Sequence, residues 1–302
     1  MSAGAFVILN PLAGKGRGRR LADEVRQAFS RQLLVEVAET RAAGDEARLV
    51  GEALGRGFET IVAVGGDGTW SNVGNAILHS GQKARLGLVP AGTGSDLAKS
   101  LDVPSRDIVA CARIVAAGHC RHIDVGRIEG RHFLNIAGFG LDIAVLEDSW
   151  RVRHLQGEAL YLYCALRQMF RYRGMGVEIT TDGRALGHVD LLMMIVCNAR
   201  VFGGKFRIAP QARMDDGRLD LVRFGNMGAL RRLSIMRHLM AGTHLQQEKV
   251  AVEQAERFSL RFDQPPAYET DGEWNQARSA TIDIECVPGA LDVLVPPTTQ
   301  AP

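Results

Sequence analysis

The stretch Thr60-Ile61-Val62-Ala63-Val64-Gly65-Gly66-Asp67-Gly68-Thr69 decides the fold of this chain. Its β-branched and small apolar residues run without alternation, the pattern of a strand buried on both faces, as parallel sheets require. Three glycines and one carboxylate follow at once, where a plain turn would need one glycine. The same grammar occurs twice more. Residues 6–9 lead into Asn10-Pro11-Leu12-Ala13-Gly14-Lys15-Gly16-Arg17-Gly18, and residues 86–89 into Pro90-Ala91-Gly92-Thr93-Gly94-Ser95-Asp96. A further strand reads at 34–37, and apolar positions three and four apart predict helices at 21–31, 45–54, 70–79 and 108–117. Strands alternating with helices make residues 1–120 one α/β domain on a parallel sheet.

Glycines let the backbone approach a ligand closely, and a helix that follows them offers free N–H groups to an anion. These loops therefore suit phosphate. The first is neither a Walker A loop, which needs Gly-Lys-Ser/Thr, nor the GxGxxG fingerprint, because Arg19 stands where the third glycine belongs. Taken alone it reads equally as a simple turn. In the second, Asp67 is placed among glycines to engage Mg²⁺ or a phosphate-bearing water. Three such loops at the carboxyl ends of neighbouring parallel strands would line one crevice.

After residue 120 strand-like runs succeed each other at 123–128, 132–137, 177–181, 191–197, 219–224, 258–262, 281–286 and 291–295, with helical stretches only at 157–172 and 227–240. Residues 121–295 are expected to form a mainly antiparallel β-sandwich whose C-terminal end can return to the first domain, with 296–302 a frayed tail. The expected fold class is thus an α/β domain with Gly-rich nucleotide loops plus an antiparallel β-sandwich, the nucleotide site in the cleft between them.

Five cysteines without a CxxC pair give neither a disulfide framework nor a zinc site, and imply a reducing compartment. A formal charge of +2 gives no reason to expect nucleic acid as a partner. Residues 5–9 are too short for a signal-peptide core, and no run approaches the ~20 apolar residues of a membrane span. The expectation is a cytoplasmic protein whose contact with membrane, at its inner face, is transient and peripheral.

GGDGT at 65–69, NPLAGKG at 10–16 and PAGTGSD at 90–96 together resemble the bacterial diacylglycerol kinase family, relatives of sphingosine and ceramide kinases. The likeness continues through NIAGFGLD at 135–142, NARVFGG at 198–204, APQARMDDGRLD at 209–220 and DGE at 271–273, so it covers nearly the whole chain. It implies a transferase of lipid metabolism and phospholipid biosynthesis, passing the γ-phosphoryl group of Mg²⁺-ATP to a hydroxyl of diacylglycerol or a related membrane lipid, and it leaves room for a homodimer.

Residue by residue, the resemblance implies that Asn10, Thr40, Gly65, Gly66, Asp67, Gly68, Thr69, Ser71 and Thr93 contact ATP. Asp216, with the carbonyls of Arg213 and Arg218, matches a structural Mg²⁺ site, and Asp142 the position that faces the lipid head group. Glu273 is the implied proton acceptor, with Asp271 the alternative. A carboxylate there suits the chemistry: a lipid hydroxyl is a poor nucleophile, and a base that takes its proton contributes ~10²–10⁴-fold. Isolated DGE and DDG sequences would otherwise read as acidic turns. Ser71 and Asn72 stand where the family has Asn-Glu, so the glutamate's charge near the metal and phosphates is lost, and Ser95 departs from the family's GTxND.

Two further readings compete. A soluble kinase resembling NAD kinases shares GGDGT, and a nucleotide-binding protein with weak catalysis would fit the departures at Ser71, Asn72 and Ser95. For membrane contact, Trp150, Arg151, Arg153, His154, Tyr161, Tyr163, Arg167, Phe170, Arg171, Tyr172 and Arg173 mix aromatic and cationic side chains, and Arg231, Arg232, Arg237 and His238 form a second basic group. Packing of both helices on the sheet, with charges left in water, is the competing explanation.

Overall fold

The computed structural model describes residues 4–152, 155, 157–204 and 206–297. The chain divides into two compact units, one holding everything to Val125 plus the segment from Pro288 onward, the other Gly126–Val287.

In the first unit β1 (Ala5–Leu9), α1 (Ala13–Ser30), β2 (Val35–Glu39), α2 (Asp45–Gly55), β3 (Thr60–Gly65), α3 (Asp67–Ser80), β4 (Arg85–Pro90), α4 (Asp96–Ser100) and α5 (Ile108–Ala117) alternate along the chain. The strands pair in parallel in the order β2-β1-β3-β4. Every residue of β1 and β3 is buried, as their unbroken apolar runs require. Helix α1 begins earlier than its apolar periodicity indicates, because Gly14, Lys15 and Gly16 all turn left-handed ahead of the regular helix. Glycine is obligatory at the first of these: a Cβ on Gly14 would sit 2.2 Å from the carbonyl oxygen of Ala91.

The second unit is reached along β5 (Cys120–Ile128) and continues through β6 (Arg131–Phe133), β7 (Ile136–Gly140), α6 (Leu141–Arg151), α7 (Gly157–Arg171), β8 (Met175–Thr181), β9 (Arg184–Cys197), β10 (Leu219–Gly225), α8 (Ala229–Ala241), β11 (Val250–Ala255), β12 (Arg257–Arg261), β13 (Ala267–Thr270), β14 (Glu273–Gln276) and β15 (Thr281–Leu294). Its strands pair antiparallel: β14-β13-β7-β9-β8-β12-β15 in one path, with β10 between β9 and β11. Met194 and Val196 of β9 enter a core with Phe139, Phe258 and Tyr268, whereas Leu192, Ile195 and Cys197 enter a second with Phe224, Ile235 and Leu239. Burial on both faces explains why 191–197 reads as a continuous apolar run. The fold is therefore the expected α/β domain and antiparallel β-sandwich.

Three differences are instructive. Helix α6 has no counterpart among the expected helices, since its first turn lies inside NIAGFGLD, where glycines mask its periodicity. Residues 281–286 and 291–295 are one strand, β15, which continues through Pro288-Gly289 and pairs with β4 at Asp292 and Val293. Arg232, expected in a basic surface group, is buried: it donates to the carbonyls of Met169, Tyr172 and Met227 and to Asn226 Oδ1. Of the proposed surface residues, Arg153, His154 and the side chain of Tyr161 lie outside the described residues, as do residues 298–302 of the tail.

Candidate active site

The three glycine loops of the first unit are packed against one another. Gly65 O accepts from Ala91 N at 2.7 Å and Gly92 N at 3.0 Å, joining the second loop to the third. A Cβ on Gly92 would lie 2.5 Å from Gly66 Cα, so both backbones need glycine to meet. Asn10 joins the first loop to the second: its Nδ2 donates to Thr69 Oγ1 at 3.0 Å, while its Oδ1 accepts from Leu12 N at 3.0 Å. Asp67 opens α3, and its Oδ1 accepts from Leu97 N at 3.0 Å, in the first turn of α4. Lys15 and Ser95 hold left-handed backbones without being glycine, a local strain of the kind that collects at working loops.

The nucleotide-contact candidates therefore converge in part. Asn10, Gly65, Gly66, Asp67, Gly68 and Thr69 form one constellation, with Thr93 exposed on the adjoining loop. Thr40 is buried after β2, its N–H donating to Leu9 O at 2.9 Å. Ser71 is buried inside α3, and its hydroxyl has no hydrogen-bond partner among the described residues.

In the second unit Asp271 and Glu273 flank a turn in which Asp271 and Gly272 both take positive φ. Their side chains differ. Asp271 is only 8% exposed, and its carboxylate accepts from Leu134 N and Asn135 N at 2.8 Å each and from Ile136 N at 3.1 Å. The Glu273 side chain is 40% exposed and pairs with Arg131. Asp271 thus holds residues 134–136 in place, while Glu273 reaches outward. Asp271→Ala should leave three buried N–H groups without acceptors and cost on the order of 3 kcal/mol in urea unfolding. Glu273→Gln should stay within ~0.5 kcal/mol of wild type in the same measurement.

A residue absent from the sequence candidates lies two positions upstream. Glu269 is buried opposite Gly138, beside Asp142 in the first turn of α6. Burial, then the charge of Asp142, push its carboxyl well above the usual range, and burial raises Asp142 to about 6. The signal that could have found it is Gly138, a glycine inside a strand, which leaves room for a neighbour's side chain.

Asp216 is exposed in the turn before β10, where its Oδ1 accepts from Arg218 N at 3.1 Å and its Oδ2 from Gln254 Nε2 at 3.0 Å. Arg213 pairs with Asp215. Asp220 Oδ2 is buried without a partner among the described residues, and burial together with the Asp216 charge raises that carboxyl to about 6. Among the described residues no group of three or more His, Cys, Asp or Glu side chains could hold a metal. An oxygen site here would rest on Asp216 and backbone carbonyls.

No helix among the described residues is long and apolar enough to cross a membrane. Helix α7 nonetheless exposes Leu162 at 63%, Leu166 at 43% and Phe170 at 65%, an apolar stripe at four-residue spacing, with Tyr163 and the exposed Trp150 of α6 nearby in the chain. Arg167 pairs with the buried Asp148 and so ties α7 to α6.

Residues 4–128 match the model of the diacylglycerol kinase catalytic domain, and residues 135–295 that of the YegS C-terminal NAD kinase beta sandwich-like domain. A diacylglycerol kinase of Bacillus subtilis strain 168 is 29% identical over 274 residues, 89% of each chain. A crystal structure of a diacylglycerol kinase from Bacillus anthracis strain Sterne superposes with a TM-score of 0.75 at 20% identity over 98% of both chains. An NAD kinase from Archaeoglobus fulgidus, solved in complex with ATP, gives 0.53 at 13% identity over 96% of this chain and 93% of its own. Matched by the two models in turn, the chain belongs to the kinase family in which a diacylglycerol kinase catalytic domain is followed by a YegS-type, NAD kinase-like β-sandwich domain.

Proposed function

We propose that this protein is an ATP-dependent lipid kinase that transfers the γ-phosphoryl group to a hydroxyl of diacylglycerol or a related membrane lipid. The observation that carries this reading is the packing of three glycine loops around Asn10, Asp67 and Thr69 at the carboxyl ends of β1, β3 and β4. Their backbone approaches a polyphosphate without side-chain obstruction, and Asp67 is the acid available to the nucleotide's metal. Mg²⁺ supplies charge neutralisation on the phosphates when bound. Asp216, with the carbonyls of Arg213 and Arg218, would hold a structural Mg²⁺, since an all-oxygen donor set suits a hard cation.

In the second unit Glu273 is the proposed proton acceptor. As the acceptor oxygen bonds to the γ-phosphorus and the bond to the ADP oxygen breaks, the hydroxyl proton passes to the Glu273 carboxylate, which Arg131 keeps oriented. Asp271, committed to three N–H donors, frames the turn and is the weaker candidate for the base. Asp142, the head-group candidate, has its carboxylate buried beside Glu269, so any part it has in the head-group site would be through the start of α6.

The protein is proposed to work in the cytoplasm and to meet the membrane transiently. The stripe of Leu162, Leu166 and Phe170, with exposed Arg171 and Arg173 beyond it, has the make-up of an interfacial helix. Phe170→Asp should reduce sedimentation with anionic vesicles by about tenfold. Raising the salt should weaken wild-type binding only partly, because the Arg attraction decays over about 8 Å while apolar insertion does not. Equal binding by Phe170→Asp and wild type would contradict this.

The NAD kinase reading draws support from the type of the second domain. Incubation with ATP and either dispersed diacylglycerol or NAD separates the two: phosphatidic acid is the expected product, and NADP would favour the alternative.

A further inference from the structure

Glu269 is a buried acid for which the proposed phosphoryl transfer has no use. The antiparallel register of β13 and β7 sets it directly across from Gly138. The space that a Cβ would take on Gly138 is occupied by the two acids, with Asp142 Oδ2 at 2.1 Å and Glu269 Oε1 at 3.1 Å from that position. Both oxygens of Asp142 and Oε1 of Glu269 are buried, and among the described residues none receives a well-formed hydrogen bond from an N–H or O–H group. The charged groups acting on the pair offer no relief: Asp271 adds a third negative charge from the end of β13, and beyond α7 lies the Tyr172 phenol, which is itself the group that Arg232 of α8 and Glu147 of α6 act on.

Two ionised carboxylates would repel strongly at this depth. One proton between them turns the repulsion into a charge-assisted O–H···O⁻ bond, which is short and strong where water is absent. Asp142, in the first turn of α6 with Ile143 N–H favouring its anion, is the acceptor; Glu269, whose ionisation both Asp142 and Asp271 oppose, is the donor.

We propose that Glu269 is a positioning residue for phosphoryl transfer: by sharing one proton with Asp142 it clamps the start of α6 to β13 and so fixes the Asp271-Gly272-Glu273 turn. The other end of α6 is held to the far side of that turn. Trp150 packs edge-on against Trp274 of β14 with ring centroids 5.7 Å apart, and Trp274 Nε1 donates to Glu147 Oε1 at 3.2 Å. Helix α6 thus braces both strands that carry the turn, and the Glu269 end of the brace depends on a proton. The proposal rests on the lipid-kinase reading for its catalytic consequence but not for the clamp itself.

Both carboxyls are raised in the folded protein, so their contribution to stability is complete at acid pH and is lost as the pH climbs through about 6 for Asp142 and through the raised range of Glu269. Glu269→Gln replaces the dissociable donor with an amide N–H that donates to Asp142 at every pH. The decisive experiment compares the melting temperatures of wild type and Glu269→Gln from about pH 5 to pH 9, expecting wild type to lose ground steadily to the variant as pH rises. A constant difference across that range overturns the clamp, whether or not the protein phosphorylates lipid.

Where lipid phosphorylation is measured, Glu269→Gln should keep kcat within about threefold at neutral pH and lack the wild-type alkaline decline, while Glu269→Ala lowers kcat ~10-fold or more at unchanged KM for ATP. Wild-type kcat in Glu269→Ala, or an unaltered alkaline decline in Glu269→Gln, overturns the positioning role. Absence of any lipid phosphorylation by wild type would instead sink the functional reading and leave the melting comparison to decide the clamp. Should Glu269→Ala not fold, the pH series on Glu269→Gln decides the positioning role by itself.

Discussion

Glu273→Gln should lower kcat by ~10²-fold or more while leaving the KM for ATP nearly unchanged. The amide keeps the size of the side chain and can still accept from Arg131, so the turn and its ion-dipole contact survive. What disappears is the ability to take a proton from the attacking hydroxyl. The partial exposure of Glu273 matters here, since the substitution buries no new polar group and stability should not move. Asp271→Asn is the informative contrast. Its carboxylate receives three backbone N–H groups, and an amide can serve only some of them, so this variant should lose stability and activity together. A pure kcat loss at Asp271 with Glu273→Gln unaffected would make Asp271 the base.

Asp67→Ala should abolish nucleotide-dependent transfer. The carboxylate stands at the head of α3 among the packed glycine loops, and without it a Mg²⁺ carried by the nucleotide would lose the side-chain partner proposed for it. The structure adds a cost that the sequence alone does not reveal. Asp67 Oδ1 accepts from Leu97 N, so its removal should also take about 1 kcal/mol from unfolding stability, too little to unfold the first unit. Activity within a few-fold of wild type in folded Asp67→Ala would contradict the placement of the nucleotide.

The glycine loops were legible because their cause is local: a buried strand ends, the backbone must pass close to another backbone, and only glycine permits it, as at Gly14 against Ala91 and Gly92 against Gly66. The sandwich was legible for the same reason, through runs of apolar residues in β9 and β10. Helix α6 was not, since its start shares a motif with the end of β7. Nor could the duties of Asp271 and Glu269 be read, because each is set by partners more than 100 positions away: residues 134–136 for the first, Gly138 and Asp142 for the second. An acid between Tyr268 and Thr270 carries no local sign that strand pairing will bury it. The left-handed turn at Asp271-Gly272, by contrast, agrees with a Gly-containing turn signal.

The central claim is that the hydroxyl phosphorylated belongs to a lipid. Wild type incubated with γ-labelled ATP, Mg²⁺ and a total lipid extract should move label into the organic phase as a phosphomonoester that phosphatase removes, and Glu273→Gln should leave that phase essentially unlabelled. Label confined to the aqueous phase, as NADP or as free phosphate, while the protein still binds ATP, would contradict the account.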